Sequence, residues 1–179
     1  ADETLISILI PARNEEKNIG GCLDSLINQS YLNYEIIVLD DESTDSTPKI
    51  VNEYAQKDNR IKLINGKPLP QEWLGKNWAC HNLSKEANGK ILLLIDADVR
   101  LAENAISTAL QVYNEKKVQM LSSFPTQIIK GYGARIIVPL MNWLLLSFLP
   151  LRKVYTSSNI SFSAANGQFI MIDKNVYEE

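Results

Sequence analysis

Apolar residues along the chain form short continuous runs, and the stretches between those runs carry apolar residues every three or four positions. Continuous runs of this kind read as buried strands and the spaced ones as helices with one buried face. Leu5 to Ile10 is the first run, stopped by Pro11. Asn14 is placed to cap the helix that follows, Glu15 and Glu16 stand where its dipole favours negative charge, and Ile19, Cys22, Leu23, Leu26 and Ile27 form its buried face. Tyr34 to Leu39 predicts a second strand, Pro48 opens a second helix with Ile50, Val51 and Tyr54 inward, and Arg60 to Ile64 predicts a third strand. After a loop from Gly66 to Gly75, a helix is expected over 77–88, closed by Gly89. Ile91 to Ile95 is the most apolar strand, a helix follows from about Glu103 to Asn114, Val118 to Ser122 predicts another strand, and Phe169 to Ile172 a last one.

Strand and helix alternate through residue 122, which predicts an α/β domain with a mainly parallel sheet, right-handed crossovers and helices on both faces. Ligands of such sheets bind beyond the carboxyl ends of the strands, and the charged clusters lie there: Arg13-Asn14-Glu15, Asp40-Asp41 and Asp96/Asp98. The length of 179 residues suits one domain. A net charge of −3 without a dense basic block argues against nucleic acid as a partner. Cys22 and Cys80 lack metal-ligand spacing and make a poor disulfide framework, and no basic stretch precedes the first apolar run as in a secretory leader, so a cytoplasmic setting is expected.

Two carboxylates one residue apart at a strand end, Asp96 and Asp98, can share a Mg2+ or Mn2+ ion whose shell is completed by water and phosphate oxygens. The same pair also serves as an ordinary turn and helix cap. In the acidic run from Asp40 to Asp45, Asp40 or Asp41 can accept hydrogen bonds from a nucleoside while Ser43, Thr44 and Asp45 shape the loop; Asp45 or Thr47 is equally a helix cap. Lys76, just after Gly75, can meet a diphosphate at a helix N-terminus or stand solvated. His81, without a placed partner, reads as structural.

Together, Ile8-Leu9-Ile10-Pro11-Ala12-Arg13-Asn14-Glu15-Glu16, Val38 to Asp45 and Asp96-Ala97-Asp98 resemble the family 2 glycosyltransferases, which have the GT-A, Rossmann-like fold. The resemblance implies that Pro11, Ala12, Arg13 and Glu15 line a nucleoside pocket, that Asp40 or Asp41 contacts the base, and that Lys76 lies near the ribose or diphosphate. It further implies that Asp96 lies near the ribose and metal, that Asp98 is the main metal ligand, and that sugar transfer from a nucleoside-diphosphate sugar (UDP-sugar by default) inverts the anomeric centre. Ala164 to Phe169, with Asn166, Gly167 and Gln168 on the acceptor side, resembles a segment bordering donor sugar and acceptor in a subgroup acting on carotenoid or hopanoid-like lipids, and Trp73 to Cys80 resembles the same subgroup. The resemblance makes 1–122 the nucleotide-binding part and 123–179 the acceptor-side part, and the alternative for the segment is a plain turn into the strand. Glu42 departs from the family pattern, which has Gly there, and the chain stops at Glu179 before the later acidic motif that supplies the general base, so a truncated C-terminal end is expected and no base is assigned.

Ile136 to Leu151 is almost continuously apolar, flanked by Arg135 and by Arg152-Lys153, too short and too interrupted by Pro139, Asn142 and Pro150 to span a bilayer. A helix lying in the interface suits it, which would make the protein peripheral to the inner or plasma membrane with a lipid acceptor; burial in the core or a dimer contact is the alternative. Two other functions fit parts of the pattern. A sugar-nucleotide nucleotidyltransferase would want a Gly-rich loop where Pro11-Ala12-Arg13-Asn14-Glu15 stands, and a non-catalytic nucleotide-binding or membrane-surface module would need no base.

Overall fold

A computed structural model describes residues 4–124, 126, 131–148 and 165–179. Strands β1 (Ile6–Ala12), β2 (Tyr34–Asp40), β3 (Ile61–Asn65) and β4 (Ile91–Ile95) pair in parallel. β5 (Met120–Ser122) and β6 (Phe169–Asp173) complete one six-stranded sheet of order β3-β2-β1-β4-β6-β5. Helices α1 (Ile19–Ile27), α2 (Thr47–Ala55) and α4 (Ala105–Lys116) supply side chains to one face, where Leu23, Val51 and Ile106 meet Ile6, Ile8, Ile36 and Leu93. α3 (Gly75–Glu86) covers the other face with Ala79 and Leu83 against Leu9, Ile37, Leu39 and Leu92, joined at its margin by Tyr177 of α6 (Lys174–Glu178). α5 (Tyr132–Phe148) completes the described elements. The continuous apolar runs have this cause: β1, β2 and β4 are covered on both faces, so every second residue cannot be polar.

β1 lies between β2 and β4, and the chain leaves it toward β2 before α3 carries it back to β4. This is a topological switch point, where a crevice opens beyond the carboxyl ends of the two strands.

Four expectations need correcting. Pro11 does not stop β1, which runs to Ala12. The ladder to β4 ends at Leu9↔Leu94 while that to β2 continues to Ala12↔Asp40, and the Ile6 amide faces β2. Pro11, odd-numbered, therefore faces the side where no ladder bond is required. Asn14 is not a helix cap: α1 starts at Ile19 after a turn, and Asn14 has φ 56°. Gly89 does not close α3, which ends at Glu86. A Cβ on Gly89 would lie 2.6 Å from the Ser7 backbone nitrogen and 2.8 Å from the Leu5 carbonyl oxygen, so glycine is there to let the chain pass close to β1. Finally β5 is shorter than expected and is not β4's neighbour, because β6 inserts between them antiparallel to both.

Glu35 ties the lower end of the sheet together. It accepts hydrogen bonds from Ser7 Oγ (2.6 Å), the Asn88 amide (2.6 Å) and Asn88 Nδ2 (3.0 Å). Desolvation pushes its carboxyl upward, but the bonds from Ser7, Asn88 and Gly89 outweigh it and hold the pKa below the ordinary 4.5. A depressed folded pKa means that this contribution is complete above pH 4.5 and is lost as pH falls through and below that value. Glu35→Gln is therefore expected to lower Tm at neutral pH, with the gap to wild type closing below pH 4.5 in a pH series of thermal melts. Gly89→Ala, which meets backbone rather than a yielding side chain, is expected to cost about 2 kcal/mol or more in urea denaturation.

Candidate donor-binding site

The loops after β1 and β2 are locked to each other. The Asn14 amide donates to Ser43 Oγ (2.9 Å), and the Thr44 amide returns a bond to Asn14 Oδ1 (2.8 Å). The Glu15 amide donates to Thr47 Oγ1 (2.8 Å), the Glu16 amide to Asp45 Oδ2 (3.1 Å), and the Ser46 amide to Glu16 Oε2 (3.1 Å). Neither Asp45 nor Thr47 is the N-cap of α2, which is Ser46; the two bind each other instead, Asp45 Oδ1 accepting from both the Thr47 amide (2.9 Å) and hydroxyl (2.6 Å). Desolvation raises the Asp45 carboxyl, but these bonds and the one from Glu16 together outweigh it and leave the group below its ordinary value. Glu42, where the family pattern has Gly, sits at φ 56°, the left-handed region that a side chain enters at a cost.

These loops and the end of β4 frame a cleft of about 440 Å³ lined by Pro11, Ala12, Arg13, Glu15, Asp41, Gly75, Lys76, Ala79, Asp96, Ala97 and Asp98. Of the residues expected there, the structure brings together Pro11, Ala12, Arg13, Glu15, Asp41, Lys76, Asp96 and Asp98. Asp40 is not among them. Strand parity turns its side chain onto the face of Ile36 and Val38, where it is buried with Oδ1 lacking a hydrogen-bond partner among the described residues. Asp41, the next residue, faces the cleft, so the choice between the two settles on Asp41 as the lining residue. Gly75, Ala79 and Ala97 also line it, and sequence reasoning missed them: small residues in the first two turns of α3 and between the two aspartates carry no chemistry of their own but leave room. Gly66 has a similar role, since a Cβ there would lie 3.1 Å from the Asp40 carbonyl oxygen and 3.3 Å from Asp41 Oδ1.

Four carboxylates (Glu15, Asp41, Asp96, Asp98) face two basic groups (Arg13, Lys76), an imbalance of two negative charges. Arg13 lies 3.6 Å from Asp41 Oδ2, and Lys76 Nζ lies 2.5 Å from Asp96 Oδ1. Asp98 makes no ion pair among the described residues. The donor set suits a hard divalent cation: Asp96 and Asp98 offer only carboxylate oxygens, the excess charge matches one such ion, and the ammonium on Asp96 already stands where a cation is favoured. Among the described residues no three acidic, His or Cys side chains could hold a metal by themselves, so most of an ion's shell would come from water and phosphate.

Beneath the cleft, Cys22 is buried with its Sγ 3.9 Å from the Asp96 carbonyl oxygen, and burial pushes its thiol up to about 12, so it is inert; Cys80 is also free. His81 stacks on Trp78 at 5.5 Å and meets Trp73 at 5.0 Å, outside the cleft lining.

A second cavity of about 1060 Å³ shares Asp98 and is lined also by Arg100, Leu121, Ser122, Gln168 and Phe169. Asn166 is tied to Ser122 of its lining, and Gly167 lies beside Lys76. The Asn166 amide donates to Ser122 Oγ (2.7 Å), the Gln168 amide to Asn166 Oδ1 (2.9 Å), and a Cβ on Gly167 would lie 3.8 Å from Lys76 Nζ. Of 166–168, Gln168 lines the second cavity, and none of the three lines the first cleft.

The family model for glycosyl transferase family 2 matches residues 7–177. The chain belongs to that family. Among the curated relatives of this family 2 chain, the 4,4'-diaponeurosporenoate glycosyltransferase of Staphylococcus haemolyticus is 38% identical over 66% of the chain and 31% of its own length. The beta-monoglucosyldiacylglycerol synthase of Nostoc is 32% identical over 63% of the chain and 24% of its own. The chain thus spans about a third or less of these relatives. Among solved structures, the mannosyltransferase PcManGT from Pyrobaculum calidifontis, in complex with GDP-Man and Mn2+, has a TM-score of 0.66 at 19% identity over 97% of the chain and 45% of that protein. TarS of S. aureus with UDP-GlcNAc has a TM-score of 0.55 at 26% identity over 70% of the chain and 38% of that protein. The fold is that of the GT-A glycosyltransferases, as expected.

Because Glu42 holds a left-handed conformation, Glu42→Gly is expected to leave the fold intact and to stabilise it by up to about 1 kcal/mol, and Glu42→Val to destabilise it by more than that, both measured by urea denaturation.

Proposed function

We propose that this domain is the donor-binding part of an inverting glycosyltransferase that moves a sugar from a nucleoside-diphosphate sugar, UDP-sugar first, to a lipid acceptor at a membrane surface. The observation that carries the reading is convergence: Asp41, Asp96 and Asp98 come from three separate segments and meet in one cleft with Arg13 and Lys76. In this reading Pro11, Ala12, Arg13 and Glu15 surround the nucleoside and Asp41 accepts from the base. Asp98, with Asp96, holds Mg2+ or Mn2+, which when bound supplies Lewis-acid stabilisation of the leaving diphosphate. Lys76 stands at the first turn of α3, where an ammonium and unpaired helix amides both favour a phosphate. Asn166, Gly167 and Gln168 border the donor sugar and open toward the second cavity. No described residue is assigned as general base: Asp173 pairs with Ile91, at the other end of β4 from Asp96, and caps α6 through the Asn175 amide.

The test is a calorimetric titration with UDP and GDP, with and without Mn2+ or Mg2+. Wild type is expected to bind a nucleoside diphosphate more tightly with metal, and Asp98→Asn to weaken the metal-dependent binding at least about tenfold with its melting curve unchanged. Equal affinity with and without metal in the wild type would refute the assignment of Asp96 and Asp98.

Support for a membrane acceptor comes from α5. Ile136, Ile137, Leu140, Trp143, Leu144 and Phe148 recur at helical spacing and are all exposed, Phe148 to 81%. Arg135 stands beside this stripe, and Arg152 and Lys153 follow it in sequence outside the described residues. Apolar body, tryptophan and basic ends suit anionic headgroups. Among the described residues no helix is long and apolar enough to cross a membrane. The two relatives above, one named for a carotenoid acid and one for a diacylglycerol lipid, agree with a lipid acceptor. The double variant Ile137→Asp with Trp143→Asp is expected to stay folded and to lose co-sedimentation with vesicles containing phosphatidylglycerol. Undiminished vesicle binding would assign the stripe to the core or to another protein chain.

A further inference from the structure

Lys76 stands on the very carboxylate that the donor-site reading gives to the metal. Its Nζ lies 2.5 Å from Asp96 Oδ1, and it is the one basic side chain paired with Asp96 or Asp98 among the described residues. We propose that Lys76 is a resident counter-ion which a divalent metal must displace, so that metal and nucleoside diphosphate bind as a linked pair, the metal taking Asp96 and the released ammonium going to the diphosphate. This rests on the donor-site reading and adds an order of events to it.

The geometry supports both positions of the side chain. Lys76 sits on the first turn of α3 with its side chain 54% exposed, so the four-carbon stem is free to swing, whereas Asp96 is 27% exposed and fixed at the end of β4. The neighbouring backbone leaves room, since a Cβ built on Gly167 would be 3.8 Å from Nζ, an ordinary contact. A lysine suits the task better than an arginine: it is a compact charge that makes no bidentate fork with a carboxylate and so is released more readily. The other pair in the cleft, Arg13 with Asp41, is longer at 3.6 Å and lies on the nucleoside side.

A divalent ion arriving on Asp96 meets a like charge a few ångströms away. Either the ammonium stays and repels the ion, or it leaves and gives up its one ion-pair partner among the described residues. Both lower the affinity for metal alone. A diphosphate removes the conflict by offering the ammonium a new partner and the metal two more oxygens. Linkage then requires that metal also raise the affinity for the diphosphate by the same factor. The protein resists holding a bare metal ion that would screen the site without substrate.

The experiment follows Mn2+ binding to the protein alone by the electron paramagnetic resonance of free Mn2+, and UDP and GDP binding at saturating Mn2+ by calorimetry, in wild type, Lys76→Gln and Lys76→Arg. Removing one positive charge near a divalent ion is expected to tighten Mn2+ binding roughly tenfold in Lys76→Gln, while its affinity for the nucleoside diphosphate falls. Lys76→Arg, which keeps the charge, is expected to bind Mn2+ as weakly as wild type. A side chain that merely supported the structure would not raise metal affinity when removed. Unchanged or weaker Mn2+ binding in Lys76→Gln, in a protein whose wild type binds both ligands, overturns the proposal. A wild type that binds neither Mn2+ nor nucleotide overturns the donor-site reading beneath it, a distinguishable result.

Discussion

The parallel ladder through β1 is the constraint on which the rest depends. β1 is hydrogen-bonded on one side to β2 with Ala12 opposite Asp40 and on the other to β4 with Leu9 opposite Leu94. Its apolar residues are buried on both faces, so a slip of one residue would turn every side chain to the wrong helix layer. The positions of Ala12, Asp41 and Asp96 relative to one another are therefore set by the core strands that run directly into the cleft. A cleft assembled in this way needs no contact among its own carboxylates to hold its shape.

Placing like charges together has a cost, and the structure shows how it is met. Two of the carboxylates, Asp41 and Asp96, take basic partners, and the loops that carry Glu15 and Asp41 are stitched by amide bonds from Asn14, Glu15 and Glu16 to Ser43, Thr47 and Asp45. The backbone strain at Glu42 lies within the same stitched segment, which is consistent with a loop whose conformation is imposed from outside rather than chosen by its own residues.

Much of this was legible in the amino-acid sequence. β4 was read with its observed limits because a strand covered on both faces must be uniformly apolar, and the ends of the parallel strands could be named as the site because chain direction fixes them. The errors share a cause. Asn14, Gly89 and Pro11 are residue types with strong local habits, but each is used here for a contact across the sheet: Asn14 with Thr44, Gly89 with Ser7, Pro11 at the side of β1 where pairing has stopped. Asp40 and Asp41 could not be separated without the pleat, which alone decides that one is buried and the next lines the cleft. The insertion of β6 is invisible to any local pattern, since nothing in Phe169 to Asp173 says which strand it will join.

That insertion bears on how the domain could be divided. Because β6 carries the backbone bonds of β4 on one side and β5 on the other, residues 169–173 are a structural wall of the sheet built by residues 6–122 rather than an appendage to it. A fragment ending at Ser122 would leave the fully apolar β4 with an open flank, a template for pairing with other chains. Swapping contiguous halves of this architecture would part β6 from β4. A chimera that respects the sheet must carry β6 along with β4, and its junctions belong in the connections on either side.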